Sequence, residues 1–455
     1  MFPPISKTTY LYGLQCHKRF YLNRFHKTLA NPEDEATQAL FQSGTDVGLL
    51  AQQLFPGGAN AQGEEKFHSL KTVKRTAELL FKYRVIYEAA FMYNDVLCAV
   101  DILVQKGNKF YAYEVKATNS VKVQHLADAA LQYYVLANSG LNLADFSVIH
   151  FDKDYLRIGE LEVGKLFKPS SVMKEVLLQQ DFIGKHIADL KKLVNLKSIP
   201  NIEMGPQCNK PYACNFSNYC SAQNINPEET LVESAALDQT IHINKNAWES
   251  YTAELNYPLF FFDFETIMYG VPEFDFSRPY QQIPFQYSLH VLFGMNQPAL
   301  HKAFLGDGIL DPRPELIEQM IRDLGSSGSI VTWNMSFEKT IIAKLAIDFP
   351  DYHEELMAIH ARIVDLMTPF RPGKAIVFSE AFEGSYSIKN ILPVLVPELS
   401  YKNLTIQEGG TASFMYGQMR QLEPSVQEQL RQDLLAYCHV DTLAMLKIWE
   451  SVNFK

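Results

Sequence analysis

The run VIYEAAFMYNDVLCAVDILVQKGNKFYAYEVKAT, residues 85–118, constrains the fold more than any other stretch of the chain. Its apolar and aromatic residues form three strand-like runs, separated by the turn dipeptides Asn94-Asp95 and Gly107-Asn108. A two-residue turn fixes the register of the strands it joins. About Gly107-Asn108 the paired numbers sum to 215, so Asp101 is expected opposite Glu114, with Lys116 two positions further on the same face. About Asn94-Asp95 they sum to 189, and Glu88 falls opposite Asp101. Three carboxylates and a lysine would then share one row of a three-stranded meander. Like charges directly opposed destabilise a sheet, and a divalent cation between them removes that penalty. The plain alternative is a solvated sheet face.

The chain has 455 residues, enough for two or three domains. No stretch approaches the roughly 18–20 uncharged apolar residues of a membrane span. The start, MFPPISKTTYLYGLQCHKRFYL, has no long apolar run behind a basic end, so a cytoplasmic protein without membrane association is expected. The six cysteines are then not expected to form structural disulfides. Net charge is −10, an unpromising sign for a nucleic-acid binder, but it is unevenly spread. Residues 1–225 carry 25 Lys/Arg against 21 Asp/Glu, and residues 226–455 carry 16 against 30. The front half can meet phosphate directly, whereas the rear half would need metal help.

Polar, weakly periodic sequence around 226–255 reads as a connecting segment. Both flanking halves mix strand and helix patterns, so the fold class is α/β or α+β throughout. In the rear half the strand YPLFFFDFETI is interrupted by Asp263 and Glu265, two apart and therefore on one face. Two acids in so apolar a strand are costly unless cations or donors meet them. In the last helix Leu430, Leu434, Tyr437, Asp441 and Met445 form one stripe, which puts Asp441 on the face to be buried. SIVTWNMSFEK adds Glu338 just after a strand, either as a further metal-site acid or as a charge complementing a helix N-terminus. Asp365, in RIVDLM, is a weaker candidate. CNKPYACNFSNYC spaces Cys208, Cys214 and Cys220 six apart, gaps that do not suit the short Cys pairs of structural zinc sites. Cys98 and Cys438 are isolated and read as packing residues.

These motifs carry two resemblances. Asp101, twelve intervening residues, Glu114-Val-Lys116, and then a helix carrying Gln132 resemble the PD-(D/E)XK nuclease core. More narrowly they resemble the RecB-like family, including the iron–sulfur nucleases of CRISPR systems and the AddB type. The resemblance implies that Asp101 and Glu114, with Glu88 beside them, hold Mg²⁺ or Mn²⁺, that Lys116 orients the attacking water, and that Gln132 assists. Many relatives have a histidine in an upstream Gly-x-x-x-His pattern, where this chain has Gly44 followed by Gly48. The same family keeps one cysteine near its start and three after the core. That implies a [4Fe–4S] cluster on Cys16, Cys208, Cys214 and Cys220, with zinc or free thiols as rivals. Asp263-x-Glu265 on a first strand and Tyr437-x-x-x-Asp441 on a late helix resemble the DEDD exonucleases of the RNase H-like, DnaQ-like superfamily. There the middle acid is usually aspartate, and Glu338 stands in its place. The rear half as a whole looks like an uncharacterised bacterial RNase H-like domain that commonly follows a RecB-like region.

The expected architecture is therefore a PD-(D/E)XK restriction-endonuclease-like domain over 1–225, a connecting segment over 226–255, and an RNase H-like DEDD domain over 256–455. The expected activity is hydrolysis of phosphodiester bonds, with DNA bearing single-stranded ends favoured as substrate and 3′–5′ polarity in the rear domain. The competing expectation is a nucleic-acid-binding scaffold with one or both sites inactive.

Overall fold

The computed structural model describes residues 3–32, 44–65, 67–223, 240–374 and 376–454. The chain is mixed α/β and divides into two compact units. Unit 1 comprises Met1–Val232 and Gly270–Pro279, and unit 2 comprises Glu233–Tyr269 and Tyr280–Lys455.

The strands of unit 1 are β1 (Ile5–Ser6), β2 (Ala59–Asn60), β3 (Val85–Tyr93), β4 (Val96–Lys106), β5 (Lys109–Val115), β6 (Leu143–Phe151) and β7 (Phe167–Ser171). They form one sheet in the order β2-β3-β4-β5-β6-β7, with β1 parallel to the start of β4. The meander has the register its turns dictate. Lys106 faces Lys109 and Ile102 faces Tyr113, while Tyr93 faces Val96 and Tyr87 faces Ile102. Asn94 and Asp95 take φ of 52° and 60°, and Gly107 takes 62°. Such positive values match the twist of hairpin strands. Glu88 also sits at φ 53°, between paired Tyr87 and Ala89, a conformation costing a non-glycine residue roughly 1–2 kcal/mol. β5 and β6 are parallel, and the helix Val123–Asn138 makes the crossover between them. That helix and Gln180–Val194 bury Ala129, Leu131, Val135, Ile183, Ile187 and Leu190 in one core with sheet residues Ile86, Val100, Leu103 and Phe146.

Unit 2 contains β8 (His242–Ile243), β9 (Leu259–Met268), β10 (Gln282–Leu292), β11 (Leu300–Leu305), β12 (Ser329–Thr332), β13 (Ile363–Asp365) and β14 (Val377–Phe378). Five of them form a sheet in the order β11-β10-β9-β12-β13. β9, β10 and β11 are antiparallel neighbours, and β9, β12 and β13 are parallel. The alternation of β9 divides its side chains. Phe260, Phe262 and Phe264 enter a core with Leu316, Ile317, Ile341, Ile342 and Leu356 of three helices. Phe261, Asp263 and Glu265 take the other face, where Phe261 meets Trp449 of the helix Pro424–Asn453. Each buried phenylalanine contributes about 1.5–3 kcal/mol, which offsets the cost of holding two acids in the same strand.

Two boundaries differ from the sequence reading. Of 226–255, residues up to 239 lie outside the described set, but the remainder is not a simple connector. It holds β8 and the helix Lys245–Thr252, capped by Asn244, whose Oδ1 accepts from Ala247 N at 3.2 Å. Trp248 is buried with its ring 5.4 Å from that of Trp449. A two-residue strand and an eight-residue helix are too short to show periodicity. Second, Gly270–Pro279 belongs to unit 1, where the Arg157 guanidinium donates to Pro272 O and Glu273 O at 2.8 and 2.9 Å. No described helix is long and apolar enough to cross a membrane.

Candidate functional sites

In unit 1 the predicted acids and their lysine come together, with two residues the sequence reading missed. Glu114, on β5 and 1% exposed, has both carboxylate oxygens engaged. Lys116 and Lys7 each donate to its Oε1 at 2.7 Å, and the Gln132 amide donates to Oε2 at 2.8 Å. The same Gln132 and Lys116 donate to Asp128 at 2.9 and 2.6 Å. Asp101 accepts from Val115 N at 2.6 Å, which ties β4 to the end of β5. Burial, then Glu114, pushes the Asp101 pKa well above the carboxylate range. Burial works the same way on Asp128, but Lys116 and Lys7 overcome it and hold Asp128 below its ordinary value. Glu88 meets His68, Nε2 to Oε2 at 3.1 Å, and adds to the field at Asp101. Residues 44–51 are helical and include Gly48, and two imidazoles stand near the cluster, His68 at Glu88 and His125 in the field of Lys116, Asp128 and Glu114. Asp128 had a readable signal, since it lies one helical turn before Gln132. Lys7 had none, being 107 residues from Glu114.

Cys16, Cys208, Cys214 and Cys220, four of the five cysteines of unit 1, line one small cavity, together with Lys18, Arg19, Glu203, Leu22 and Phe216. Cys16 sits in extended conformation, φ −162°, between the helices Lys7–Gln15 and His17–Phe25. The Gln15 amide donates to Gln207 O and Tyr212 O at 2.7 and 2.8 Å, and Arg19 Nε donates to Asn215 at 3.0 Å. Those bonds bring the start of the chain against the three-cysteine loop. Burial raises Cys214 and Cys220, while Arg19 and Lys18 respectively pull them down. The cavity's charged lining, Lys18 and Arg19 against Glu203, is net positive, and thiols beside it suit an anionic, thiolate-held group. Cys98 is buried in β4 as a packing residue.

In unit 2 the acids arrive from three elements. Asp263 and Glu265 lie on β9 opposite Ser288 and Gln286. Glu338 is in the first turn of the helix Met335–Asp348, and Asp441 follows Tyr437 by one turn of the last helix. Asp263, Glu265, Tyr437 and Asp441 line one cavity with Trp333 and Lys389. Burial, then Asp441, Glu265 and Glu338, drives Asp263 well above the carboxylate range. Burial and Asp441 raise Glu265 to about 8, burial raises Glu338 to about 8, and burial raises Asp441 to about 6 against a hydrogen bond from Tyr401. Tyr401 donates that bond to Asp441 Oδ1 at 2.8 Å. Glu338 is 2% exposed and its Oε2 is buried without a hydrogen-bond partner. An orphaned carboxylate oxygen is expensive as the structure stands; Asp365 adds to the rise at Glu338, Glu338 in turn adds to that at Asp263, and oxygen-only donors suit Mg²⁺ or Mn²⁺. Cys438 Sγ comes within 4.8 Å of Asp263 and Glu265, but burial and those acids keep the thiol protonated, so it packs rather than ligates. Asp365 is spent elsewhere: it accepts from Asn334 N, Met367 N, Thr368 and Arg371 at 3.1–3.2 Å.

Comparison with known proteins reaches part of this chain. Residues 260–387 match the family described as "Domain of unknown function (DUF2779)", a span that holds Asp263, Glu265 and Glu338. The "Uncharacterized protein MG366 homolog" of Mycoplasma pneumoniae is 26% identical over 221 residues, 45% of this chain and 33% of that protein. "Uncharacterized protein MG366" of Mycoplasma genitalium is 28% identical over 223 residues, 45% and 32% respectively. "Uncharacterized protein UU173" of Ureaplasma parvum is 27% identical over 220 residues, 43% and 31%. The matched part thus spans about a third of the length of these curated relatives.

Proposed function

We propose that the chain is a metal-dependent nuclease with two hydrolytic centres, one in each unit. Unit 2 is an RNase H-like 3′–5′ exonuclease. Unit 1 is a RecB-like PD-(D/E)XK nuclease with a [4Fe–4S] cluster on Cys16, Cys208, Cys214 and Cys220. The substrate is nucleic acid, with single-stranded DNA ends favoured, and the setting is cytoplasmic. The observation that carries the reading is the convergence of Asp263, Glu265, Glu338 and Asp441 with an orphaned Glu338 oxygen. The sheet order of unit 2, an antiparallel meander followed by two parallel strands, supports it.

Bound Mg²⁺ or Mn²⁺ would activate water and neutralise charge on the phosphate. The chain's own residues do the rest. Asp263, Glu265, Glu338 and Asp441 would hold the cations. Tyr401 fixes the Asp441 carboxylate, and the hydroxyl of Tyr437 lies beside that acid to orient water. Lys389, on the cavity wall, offers a positive charge for the backbone phosphate. In unit 1 Lys116 lies against Glu114 and Asp128, placed to orient water at Asp101 and Glu114.

The test is full-length protein with Mn²⁺ and 5′-labelled single-stranded DNA. Progressive shortening from the 3′ end, absent in Asp263→Asn, is the expected result. Strands that shift on a native gel yet keep their full length would overturn it and favour the binding scaffold. For the cluster, anaerobically purified protein should be brown, and Cys16→Ser should bleach it. Stoichiometric zinc with no iron would refute that assignment.

A further inference from the structure

Unit 2 also gathers three histidines that the proposed chemistry does not use. His290 on β10 lies directly opposite His301 on β11, and His439 reaches them from the helix Pro424–Asn453. Their ring centroids are 4.7, 4.9 and 4.3 Å apart, and one potential ligand atom of each lies within 4.8 Å of the others. We propose that His290, His301 and His439 form a binding site for a divalent transition-metal ion of the zinc class, fastening the last helix to the edge of the sheet.

Proton accounting supports it. Thr442 Oγ1 donates to His439 O at 3.2 Å, so its single hydrogen is used. The 2.8 Å bond between Ser288 and Thr442 then takes the Ser288 hydrogen. Two bonds remain, His301 Nε2 to Ser288 at 3.0 Å and His290 Nδ1 to Thr442 at 2.9 Å, and in both the imidazole must be the donor. That polarity, which makes all four bonds at once, leaves the lone pairs of His301 Nδ1 and His290 Nε2 free. An imidazole whose far N–H is held by an oxygen is the arrangement metal-bound histidines adopt. Burial, then the neighbouring rings and Lys447, depresses His290 to about 3, and burial and His439 depress His301 to about 4. Both rings are therefore neutral ligands at pH 7. Imidazole nitrogens select zinc and its neighbours over Mg²⁺ or Mn²⁺, and three of them leave a fourth position for water. His301 is exposed and His290 buried, so the site opens to solvent on the His301 side. Tyr437 and Asp441 flank His439 on the same helix, which makes the ion a positioning element for that segment.

The experiment is zinc titration of chelator-treated full-length protein against a chromophoric chelator, with Mn²⁺ thermal stabilisation measured in parallel. Wild type should bind one more tight zinc equivalent than His301→Gln, and than His439→Gln. Cys16→Ser should keep that equivalent, which separates it from zinc on thiolates. Thr442→Val, which removes the acceptor of His290 Nδ1–H, should weaken it by about 10–100-fold. Retained Mn²⁺ stabilisation in His301→Gln would show the variant folded with its acidic site intact. Equal tight zinc content in wild type and His301→Gln overturns the site and leaves a neutral ring cluster. The outcome does not depend on nuclease activity, so either reading can fail alone.

Discussion

The two acidic clusters hold equal numbers of carboxylates and solve the resulting repulsion differently. In unit 1, of Glu88, Asp101, Glu114 and Asp128, the last two share two lysines and a glutamine, and Glu114 has no uncommitted oxygen. In unit 2, Asp263, Glu265, Glu338 and Asp441 feel Lys389 only at a distance, and Glu338 keeps an orphaned oxygen. In the first cluster Glu114 and Asp128 are neutralised by the chain itself, with Asp101 left as the acid under strain, so an incoming cation must displace ammonium contacts. The second relieves its repulsion by taking up protons or cations. Divalent ions should therefore matter for activity at both sites, but for stability mainly at the second.

The largest effect expected is on catalysis. Asp263→Asn should lower 3′ trimming at least about a thousandfold and abolish the Mn²⁺-induced rise in melting temperature. Glu114→Gln should remove the activity of unit 1 while leaving that rise intact. A Glu114→Gln protein that loses the Mn²⁺ shift would break the comparison.

The next effect is on pH dependence. Glu265 and Glu338 at about 8 and Asp441 at about 6 lie above their unfolded values of about 4. An acid with a raised native pKa contributes stability that is present at low pH and lost as pH rises through the native value. Below about pH 6.5 the depressed His290 and His301 oppose this loss, so metal-free protein should lose stability chiefly between about pH 6.5 and pH 8. Mn²⁺ requires the deprotonated acids, so its affinity should climb over the same interval and cancel the decline. Melting curves with chelator and with saturating Mn²⁺ across pH 6.5–9 test this. A metal-free melting temperature that rises over that range would refute the assignment of protons to unit 2.

A smaller change is expected at Lys7. In an Asp263→Asn background, Lys7→Met should tighten Mn²⁺ binding at unit 1 by about tenfold, because it removes one competing charge. Calorimetry would decide, and unchanged or weaker binding would mean that Lys7 helps the site rather than competing for it.

What the sequence disclosed follows the same division. The register of the meander was legible because two turn dipeptides fix it locally, and so was the pairing of Asp263 with Glu265 on one face of an apolar strand. Asp441 was legible as an acid in an apolar stripe. Lys7, Tyr401 and Lys389 were not, because each reaches its acid through tertiary folding and none sits in a periodic pattern. The three histidines share that property: HVL, ALHKA and YCHVD mean nothing separately, and only the pairing of β10 with β11 under the last helix unites them. Glu338 was legible in part. Its position at a helix start was readable, but its burial and unpaired oxygen were not.

The smallest expected effect separates two tyrosines near Asp441. Tyr401 donates to Asp441 Oδ1, and a hydrogen bond to a charged group contributes about 1.5–3 kcal/mol. Tyr401→Phe should therefore loosen the carboxylate proposed to hold metal and raise the Mn²⁺ concentration needed for half-maximal trimming. Tyr437 stands one helical turn before Asp441 and lines the cavity wall with Asp263 and Glu265, where an attacking water would stand. Tyr437→Phe should leave the Mn²⁺ requirement unchanged and slow trimming at saturating Mn²⁺ by about tenfold, the low side of what a single positioning group supplies. The two variants thus divide along metal dependence and turnover. If both shift only the Mn²⁺ requirement, Tyr437 is a second support for Asp441, and the water must be oriented by another group on that wall, for which Lys389 is the candidate.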